Sequence, residues 1–414
     1  MGFGGVGMAD RKAVLVGAGI TGILTARELA LAGWQVTVVE AQHVGAGSSS
    51  RTAAGIRQQF STPGTVRGMR YSVDYYKRFA AHTEHGESPI VQNGYLFLID
   101  EEAAWSEAVD RVQMQHAAGL TEVEALEGDA LFERFPWLSR DAVLGGTHCP
   151  TDGFLLPHLV YSEGARMVRE LGGTLLQNAP VTGAVVEGGR LVALDTPKGR
   201  VEGDLFFDCT NAWTRQFAHR VGCEELPVDP LKRYLWFLDR AGPISAEELL
   251  SMPLTICPNG LYFRPENANS LQMGKKHPAQ PQLAFSYEDQ DTIEADYSHK
   301  GGLDAMPFEQ WMVLAEVVPS IGEFAGISAT TAGFYGTTPD HNPFFGYDRS
   351  VDGLVRLVGF SGHGAMMGPF TARIGLALAE AGADVASIDL EGAPIDLGVF
   401  AIGRSYDQSE QMVI

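Results

Sequence analysis

The amino-acid sequence predicts an α/β fold in which a parallel-sheet domain is interleaved with an α+β domain built on an antiparallel sheet. Three features predict it. These are a strand–helix–strand unit in residues 13–40, strands rich in aromatic residues between 232 and 274, and a glycine-rich turn after an apolar stretch near residue 359. The chain of 414 residues is 45% hydrophobic, which is enough for a large core and indicates two or three domains.

The first unit reads AVLVGAGITGILTARELALAGWQVTVVE, and it predicts a strand over 13–16, a helix over 23–32 and a strand over 35–39. Its G-x-G-x-x-G motif lies between strand and helix, and an acidic residue follows the second strand, as in Rossmann-like dinucleotide sites. Gly17 permits the tight turn, Gly19 lets the backbone approach a pyrophosphate, and Gly22 lets the helix pack on the strand. Glu40 suits two ribose hydroxyls and repels a 2′-phosphate, which disfavours NADP. The expected dinucleotide contacts here are Gly17, Gly19, Ile20, Thr21, Gly22, Glu40 and Ala41.

The next segment distinguishes FAD from NAD, both of which use this motif. Residues 41–61, AQHVGAGSSSRTAAGIRQQFS, form a loop of small polar residues that suits a diphosphate and a flat ring system. An amphipathic helix over 65–82 follows, where a simple NAD dehydrogenase would have another strand–helix–strand unit. The order of elements therefore favours FAD.

The chain resembles the superfamily of D-amino-acid oxidase and sarcosine oxidase, which includes glycine oxidase and dehydrogenases of dimethylglycine and proline. The resemblance is carried by the motif of residues 13–40, the loop GSSSRTAAGIRQQFS, the segment TTPDHNPFFG (337–346) and the turn GFSGHGAMM (359–367). Residues 172–214 also resemble the family's adenine-side strands and flavin-contacting turn. The resemblance implies further FAD contacts at Gly47, Ser48, Ser49, Arg51, Thr52, Val181, Thr210, Asn211, Trp213, Gly333, Asp340, Gly362, His363, Gly364, Ala365, Met366 and Met367.

The resemblance also explains the glycines near residue 360. In this family the turn packs against the flavin, where side chains at Gly362 and Gly364 would collide with the ring. A helix over 368–381, with Pro369 in its first turn, is expected to direct its positive end at the flavin. We expect His363 to hold the turn by hydrogen bonds. Asn211 stands where the family has glycine, and asparagine tolerates the left-handed conformation that this turn needs.

The activity that the resemblance implies is oxidation of the C–N bond of a small amino acid or of an N-alkyl or secondary amine, such as sarcosine, proline or glycine. Hydride transfer to flavin N5 would give an imine that water hydrolyses. Arg57 is expected to bind the substrate carboxylate, for which a planar guanidinium is suited. Gln58, Gln59 and Phe60 would line the same wall, and Tyr262 and Arg264 are further candidates for substrate contact.

Three departures from the family pattern bear on the reaction. Met366 replaces the lysine that partners the carboxylate-binding arginine. Gln272 replaces the lysine above the flavin, and Lys275 or Lys276 lies close to it in sequence. Thr52 and Gly333 replace the histidine and the cysteine that attach FAD covalently in some members. We therefore expect non-covalent FAD, with oxygen or another electron carrier as the acceptor.

Two other functions remain open from the sequence. One is a non-catalytic or electron-relaying flavoprotein that acts as a subunit or assembly factor. The other is an NAD(P)H-dependent flavin enzyme, which is disfavoured because no second G-x-G-x-x-G motif follows a strand.

Composition and charge limit the kinds of binding partner and the cellular location expected for the protein. Acidic residues outnumber basic ones by 51 to 30, a net charge of −21, which argues against nucleic acid or an anionic membrane surface. No apolar run is long enough to span a bilayer, and the first residues lack the features of a signal peptide. The four cysteines form no metal-binding or paired spacing, so we expect reduced thiols, no metal and a cytoplasmic protein. A homo-oligomer or a complex subunit stays open.

The domains are expected to alternate along the chain. The FAD-binding domain would comprise residues 8–60, 150–215 and 330–400, and the substrate domain residues 61–149 and 216–329. Residues 1–7 and 402–414 are expected to be flexible termini.

Overall fold

The fold was examined in a computed structural model that describes residues 11–275, 306–390 and 392–412. The expectations for residues 1–7 and for Lys276 lie outside this part of the chain. The strands are β1 (Lys12–Val16), β2 (Gln35–Val39), β3 (Gly55–Ile56), β4 (Ile90–Val91), β5 (Tyr95–Ile99), β6 (Glu124–Glu127), β7 (Gly145–Cys149), β8 (Gly153–Leu155), β9 (Thr174–Leu176), β10 (Gly183–Glu187), β11 (Arg190–Thr196), β12 (Gly199–Glu202), β13 (Leu205–Asp208), β14 (Asp229–Asp239), β15 (Leu254–Ile256), β16 (Leu261–Asn267), β17 (Ser270–Lys275), β18 (Gly326–Thr337), β19 (Phe344–Tyr347), β20 (Leu354–Val358), β21 (Ser387–Leu390) and β22 (Ala393–Asp396).

The α-helices alternate with these strands in the first half of the chain. They are α1 (Ile20–Leu31), α2 (Pro63–Phe79), α3 (Glu102–Ala117), α4 (Asp129–Arg134), α5 (Pro157–Glu170), α6 (Thr214–Val221), α7 (Ala246–Ser251), α8 (Met306–Val317) and α9 (Gly364–Ala381). In the described part of the chain, none of these helices combines the length and apolar composition that a membrane crossing needs.

The first sheet has the strand order β19-β20-β13-β1-β2-β9 within the described residues. All neighbours are parallel except β19 and β20. Alternate side chains of β1 enter two cores. Ala13 and Leu15 pack with helices α1, α5 and α9, whereas Val14 and Val16 pack with β11 of the antiparallel sheet β10-β11-β12. The strand is therefore buried on both faces, as expected for a parallel sheet.

The second sheet has the order β18-β14-β17-β16-β15-β5-β7-β6 and is antiparallel except between β15 and β5. The strands predicted from the aromatic segments after residue 231 are β14, β16 and β17. Side chains of Tyr234, Trp236 and Met273 lie in one hydrophobic core, while Tyr262 belongs to a separate cluster with Tyr95 and Phe154. A short third sheet has the order β3-β8-β4. It joins the loop after β2 to residues 153–155. The α/β class with an antiparallel second sheet is thus confirmed.

Helix α9 begins four residues earlier than the sequence predicts, at Gly364 instead of 368. Pro369 therefore lies inside the helix, where it has no N–H to donate to the carbonyl of Ala365. The hydroxyl of Tyr76, on α2, donates to that carbonyl at 2.7 Å instead. A side chain distant in sequence thus replaces the missing helical hydrogen bond. Sequence patterns around Pro369 do not predict this contact.

Candidate active site

A cleft of about 900 Å³, partly open to solvent, lies at the carboxyl edge of the first sheet, where the residues after β1, β13 and β20 meet. The N-termini of α1 and α9 open into it, and their N-cap residues, Gly19 and His363, make no side-chain hydrogen bond to the helix. Uncapped N-termini offer backbone N–H groups and positive potential to an anion or an electron-rich ring edge. The lining residues are Gly17, Gly19, Ile20, Thr21, Glu40, Gly47, Ser48, Ser49, Thr52, Cys209, Thr210, Asn211, Trp213, Phe334, Tyr335, Phe360, Gly362, Gly364 and Ala365.

The glycine turn before α1 has the geometry that its spacing predicts. Gly17 has φ +104°, and a Cβ there would come within 2.9 Å of the Cys209 carbonyl oxygen. A Cβ at Gly22 would lie far inside 3.0 Å of the Gly17 carbonyl oxygen, so α1 can pack on this turn only without that atom. At the helix start, the N–H of Ile20 donates to the hydroxyl of Ser49 at 3.1 Å.

Glu40 lines both the cleft and a second pocket of about 390 Å³. Its carboxylate is 8% exposed and accepts the N–H groups of Ala18 at 2.7 Å and Gln42 at 2.8 Å. Burial raises the pKa of Glu40, although these hydrogen bonds act in the opposite direction. The second pocket is lined by Val16, Gly17, Val39, Glu40, Ala41, Ala179, Val181, Thr210, Trp213, Gln216, Phe217 and Arg220. A mostly apolar pocket beside a carboxylate at which the sequence predicts a ribose suits a planar base.

Asn211 joins the turns after β13 and β20. Its φ is +49°, in the left-handed region, as expected for a residue that replaces glycine. Its Oδ1 accepts the N–H groups of Gly359 at 3.0 Å and Phe360 at 3.2 Å. The asparagine therefore holds two walls of the cleft together, which a glycine could not do.

Substitution of Asn211 separates these two contributions. Asn211→Gly keeps the left-handed conformation but leaves two backbone N–H groups without their acceptor, so we expect a loss of about 1 kcal/mol of unfolding free energy. Asn211→Ala adds backbone strain to the same loss and should cost about 2 to 3 kcal/mol. Urea denaturation of both variants measures whether Asn211→Ala is less stable than Asn211→Gly. Equal stabilities would show that the conformation of the turn is not strained.

A buried charge network lies directly behind these turns. The guanidinium of Arg356, on β20, binds Asp208 at 3.0 Å, Asp348 at 2.7 Å and the hydroxyl of Thr214 at 2.7 Å, and both the arginine and Asp208 are fully buried. The other oxygen of Asp208 accepts the N–H of Thr210 at 2.9 Å and its hydroxyl at 2.6 Å. The network thus fixes Thr210, which lines both the cleft and the second pocket.

A third pocket, of about 470 Å³, opens from the other end of the cleft. The two share Thr52, Tyr335, Gly362 and Ala365. The complete lining is Thr52, Ala53, Ala54, Gly55, Arg57, Tyr95, Leu254, Tyr262, Tyr335, Ser361, Gly362, His363, Ala365 and Met366. The three cavities form one continuous path, with the base-sized pocket at one end and this pocket at the other.

Arg57 is the charged group of the third pocket and is fully buried. Its Nη1 donates to the carbonyl of Gln59, while Nη2 donates to the carbonyl of Met412 and lies 3.1 Å from Nε2 of His363. The guanidinium also lies 3.9 Å from the ring centroid of Phe60. Its Nε has no hydrogen-bond partner among the described residues, so this buried N–H remains as a donor for a ligand.

The groups around Arg57 are enclosed with it. Burial lowers the pKa of His363 well below its usual value, and the positive charge of Arg57 acts in the same direction, so the imidazole is neutral. Asp152 accepts the backbone N–H of Gln58 at 2.9 Å and its side-chain amide at 2.9 Å, and a further bond from Gln59 at 3.3 Å. Burial raises the pKa of Asp152 to about 6.

Three tyrosines complete the third pocket. Tyr262 and Tyr335 share a hydrogen bond, and burial raises the pKa of both hydroxyls and of the hydroxyl of Tyr95. All three hydroxyls are therefore protonated donors near neutral pH. Tyr262 was predicted from its strand. Tyr95 and Tyr335 were not, although the position of Tyr335 two residues after Gly333, in the segment before TTPD, could have indicated it.

Several predicted residues lie away from the cavities. Gln272 is buried within β17, and Lys275 ends that strand, neither of them in the lining. Met367 belongs to the core, and Arg264 donates to the carbonyl of Ala53 at 2.7 Å and binds Glu266.

Three further predicted residues act on other parts of the protein. Asp340 forms an ion pair with Arg404 at 2.7 Å. A Cβ at Gly333 would meet Arg51, so this glycine provides room for the first loop. Arg51 itself donates to the carbonyl of Ala46.

Other expectations concern metal and thiols. Among the described residues, no group of three or more His, Cys, Asp or Glu side chains could hold a metal ion. The cysteines Cys149, Cys209, Cys223 and Cys257 are free thiols.

The fold and the path of cavities define a class of flavin-dinucleotide oxidoreductases. A glycine turn and two uncapped helix N-termini fit a pyrophosphate and an electron-rich ring edge, while the second pocket fits a base. The family model of the FAD dependent oxidoreductases called DAO matches residues 12–378. The chain belongs to this family, as the sequence resemblance implied, and is an FAD-dependent oxidoreductase.

Relatives cover most of the chain at modest identity. FAD-dependent oxidoreductase domain-containing protein 1 of Bos taurus is 27% identical over 443 residues, with 95% of this chain and 84% of that protein covered. N-methyl-L-tryptophan oxidase of Salmonella arizonae is 28% identical, with 77% and 79% covered. The crystal structure of L-proline dehydrogenase from P. horikoshii superposes with a TM-score of 0.79 at 27% identity, with 90% and 94% covered.

Proposed function

We propose that the protein oxidises the C–N bond of a small amino acid or secondary amine that carries a carboxylate. The supporting observation is the third pocket, which adjoins the flavin-sized cleft and contains a buried arginine with an unpaired Nε. Two relatives named for an N-methyl amino acid and for proline act on compounds of this class. The lining combines apolar side chains with a few polar groups, as in pockets that bind small ligands.

Residues of this chain would bind and orient the substrate. Arg57 would donate from Nε to the carboxylate, while neutral His363 and the Gln59 carbonyl keep the guanidinium in place. Tyr262 and Tyr335 line the same pocket and share a hydrogen bond, which leaves one hydroxyl of the pair free to donate to the ligand, and the apolar part of the ligand would lie against Leu254. When bound, FAD would supply the two-electron oxidation of the carbon next to nitrogen. The product imine would then be hydrolysed by water.

The proposal is tested by anaerobic mixing of the yellow protein with N-methyl, cyclic and primary amino acids. Loss of the visible flavin absorption with one of these classes is the expected result. If no amine in the panel bleaches the flavin while dithionite does, the protein is an FAD-binding subunit or assembly factor and the proposal fails. Bleaching by NADH or NADPH alone would favour a nicotinamide-dependent flavin enzyme.

The electron acceptor follows from the same experiment. Among the described residues, the linings of the cleft and the third pocket contain no lysine that could activate oxygen. This favours a dehydrogenase that passes electrons to a carrier. Slow recovery of colour in air, compared with recovery on addition of an artificial quinone, supports this choice, whereas immediate reoxidation by air supports an oxidase.

FAD is expected to be released without chemical cleavage. The positions from which some relatives attach FAD are Thr52 and Gly333 here, and the thiol of Cys209 at the cleft is buried, with its pKa raised well above the usual value because of burial. Acid precipitation of the protein should therefore leave a yellow supernatant and a colourless pellet. A yellow pellet would show a covalent bond.

Arg57→Ala should weaken binding of a carboxylate substrate by about 2 to 4 kcal/mol, because the buried partner of the carboxylate is lost. This corresponds to a rise in KM of about 30- to 700-fold. The matched comparison is the corresponding amine without a carboxylate, whose KM should change far less. An unchanged KM for the amino acid would remove Arg57 from the substrate site.

A further inference from the structure

The C-terminal segment of residues 408–412 lies against the wall of the third pocket. The sequence predicts a flexible end here, yet the side chains of Glu410 and Met412 are buried, with 2% and 8% exposed. The carbonyl of Met412 accepts a hydrogen bond from Nη2 of Arg57, across 355 positions of sequence. The last described residues therefore contact the one arginine of that pocket's described lining.

The segment is held first by the TPDHN sequence at 338–342. The carbonyl of Asp340 accepts the N–H of Glu410 at 3.0 Å and the hydroxyl of Ser409 at 3.2 Å. The side-chain amide of Asn342 donates to the carbonyl of Gln408 at 2.8 Å. This gives Asp340, which lies away from the cleft, a function in fixing the end of the chain.

The segment is held a second time by residues close to Arg57. The carboxylate of Glu410 accepts the N–H of Ser61 at 3.1 Å and that of Met412 at 2.9 Å. In return, the hydroxyl of Ser61 accepts the N–H of Gln411 at 3.2 Å. Ser61 is only four residues beyond Arg57, so the segment is tied to the same stretch of chain as the arginine.

These contacts determine which donor of Arg57 a ligand can use. Both N–H groups of Nη2 are directed at the Met412 carbonyl and His363, one N–H of Nη1 is bound to the Gln59 carbonyl, and Nε has no partner among the described residues. Without the Met412 carbonyl, Nη2 loses an acceptor and the guanidinium can turn. The negative charge of Glu410 also acts on the buried guanidinium.

We propose that residues 408–412 are a positioning element of the substrate site: they hold Arg57 with Nε toward the pocket and so set the affinity for a ligand carboxylate. This deepens the proposed function and depends on Arg57 as the carboxylate receptor. The segment lies outside the lining of the cleft, so it should affect ligand selectivity without affecting FAD.

The test compares two probes, cyclopentanecarboxylate and neutral cyclopentanecarboxamide. Neither has an amine nitrogen on a ring carbon, so neither can be oxidised by the proposed reaction. Their dissociation constants are measured by calorimetry on the FAD-loaded protein. A variant that ends at Asp407 should bind the carboxylate at least about tenfold more weakly and the carboxamide with little change. Glu410→Gln keeps one acceptor for the backbone N–H groups and should show a smaller loss of the same kind.

The control is Gln411→Ala, because the side chain of Gln411 is exposed and its backbone contacts remain. It should retain the preference of the wild type for the carboxylate. FAD content and thermal midpoint are measured for every variant, so that misfolding of the shortened chain is recognised. Glu410→Gln then provides the decisive comparison.

Two outcomes would overturn the inference. One is an unchanged ratio of carboxylate to carboxamide affinity in both Glu410→Gln and the shortened chain. The other is a wild type with no preference for the carboxylate. A wild type that prefers the carboxylate in a segment-dependent way, but is bleached by no amine, would keep this inference and overturn the proposed reaction.

Discussion

Gly22→Ala is expected to abolish stable FAD binding. The added Cβ would overlap the carbonyl oxygen of Gly17, and it would also come within 3.3 Å of the Cys209 side chain. Gly17 cannot retreat, because its N–H is bound to the Val39 carbonyl at 2.8 Å and its own conformation is left-handed. No side-chain rotation relieves a clash with backbone, so α1 must move away from β1.

Movement of α1 displaces the N–H groups at its first turn, which face the cleft. Overpacking of this kind costs about 1 to 3 kcal/mol, and backbone overlap belongs at the upper end. We expect FAD affinity to fall by at least about 100-fold, which corresponds to about 3 kcal/mol. The measurement is the ratio of FAD to protein after purification, followed by titration of FAD into the stripped protein.

Gly183→Ala is the matched control for this prediction. Gly183 lies in β10, and a Cβ there would meet its nearest neighbour, Asp195, at 3.8 Å, an ordinary contact. The control should bind FAD like the wild type. Stoichiometric FAD in Gly22→Ala would show that the helix tolerates the shift and that the fingerprint glycine is not essential in this chain.

Arg356→Met should lower the free energy of unfolding by about 3 to 5 kcal/mol, because it leaves buried carboxylates without their cation. Asp208 and Asp348 then face each other across the site that the guanidinium occupied. Asp208 also holds Thr210, so FAD affinity should fall together with stability. Urea denaturation of the FAD-free protein separates the two effects.

The control for charge is Arg200→Met, since Arg200 and Asp195 form an ion pair of 2.9 Å that is half exposed. Its loss should change stability by no more than about 1 kcal/mol. If the buried and the exposed variants lose equal stability, the buried network does not have the energetic importance we assign to it. Adding Asp208→Asn and Asp348→Asn to Arg356→Met should recover part of the loss.

The contribution of the Arg356 network to stability should depend on pH, and its sign follows from the pKa of Asp348. Burial raises the pKa of Asp348, but hydrogen bonds from Ser350 and Arg356 outweigh it and hold the pKa below the usual 3.8. A carboxyl group with a lowered pKa stabilises the fold above pH 3.8 and loses that contribution as the pH falls through its folded value. The difference in the free energy of unfolding between the wild type and Arg356→Met should therefore become smaller at acidic pH.

Local features of the sequence were enough to predict the nucleotide-binding half of the site. A strand, a spaced set of glycines and a terminal acid are close together in sequence, so their geometry follows from steric rules at Gly17 and Gly22. Asn211 was predictable for the same reason, because few residues adopt its conformation. What the asparagine binds was not predictable, since Gly359 and Phe360 are almost 150 positions away.

The substrate half depends on contacts that sequence spacing does not encode. Gln272 and Lys275 were assigned from an alignment of β17, but the register of the second sheet places neither in the described pocket lining. Tyr335 enters the pocket from β18, and Tyr95 from β5. The packing of residues 408–412 on Arg57 joins segments 355 positions apart, which no local pattern indicates.

The strand order β19-β20-β13-β1-β2-β9 has a consequence for biogenesis. β1 and β2 are synthesised close together, but β1 must wait for its other neighbour, β13, and β13 for β20. Such non-local pairing is slow, and one edge of β1 stays unpaired until β13 has been synthesised. The first hydrophobic segments of the nascent chain therefore need protection during synthesis. FAD can bind firmly only after α9 has been synthesised.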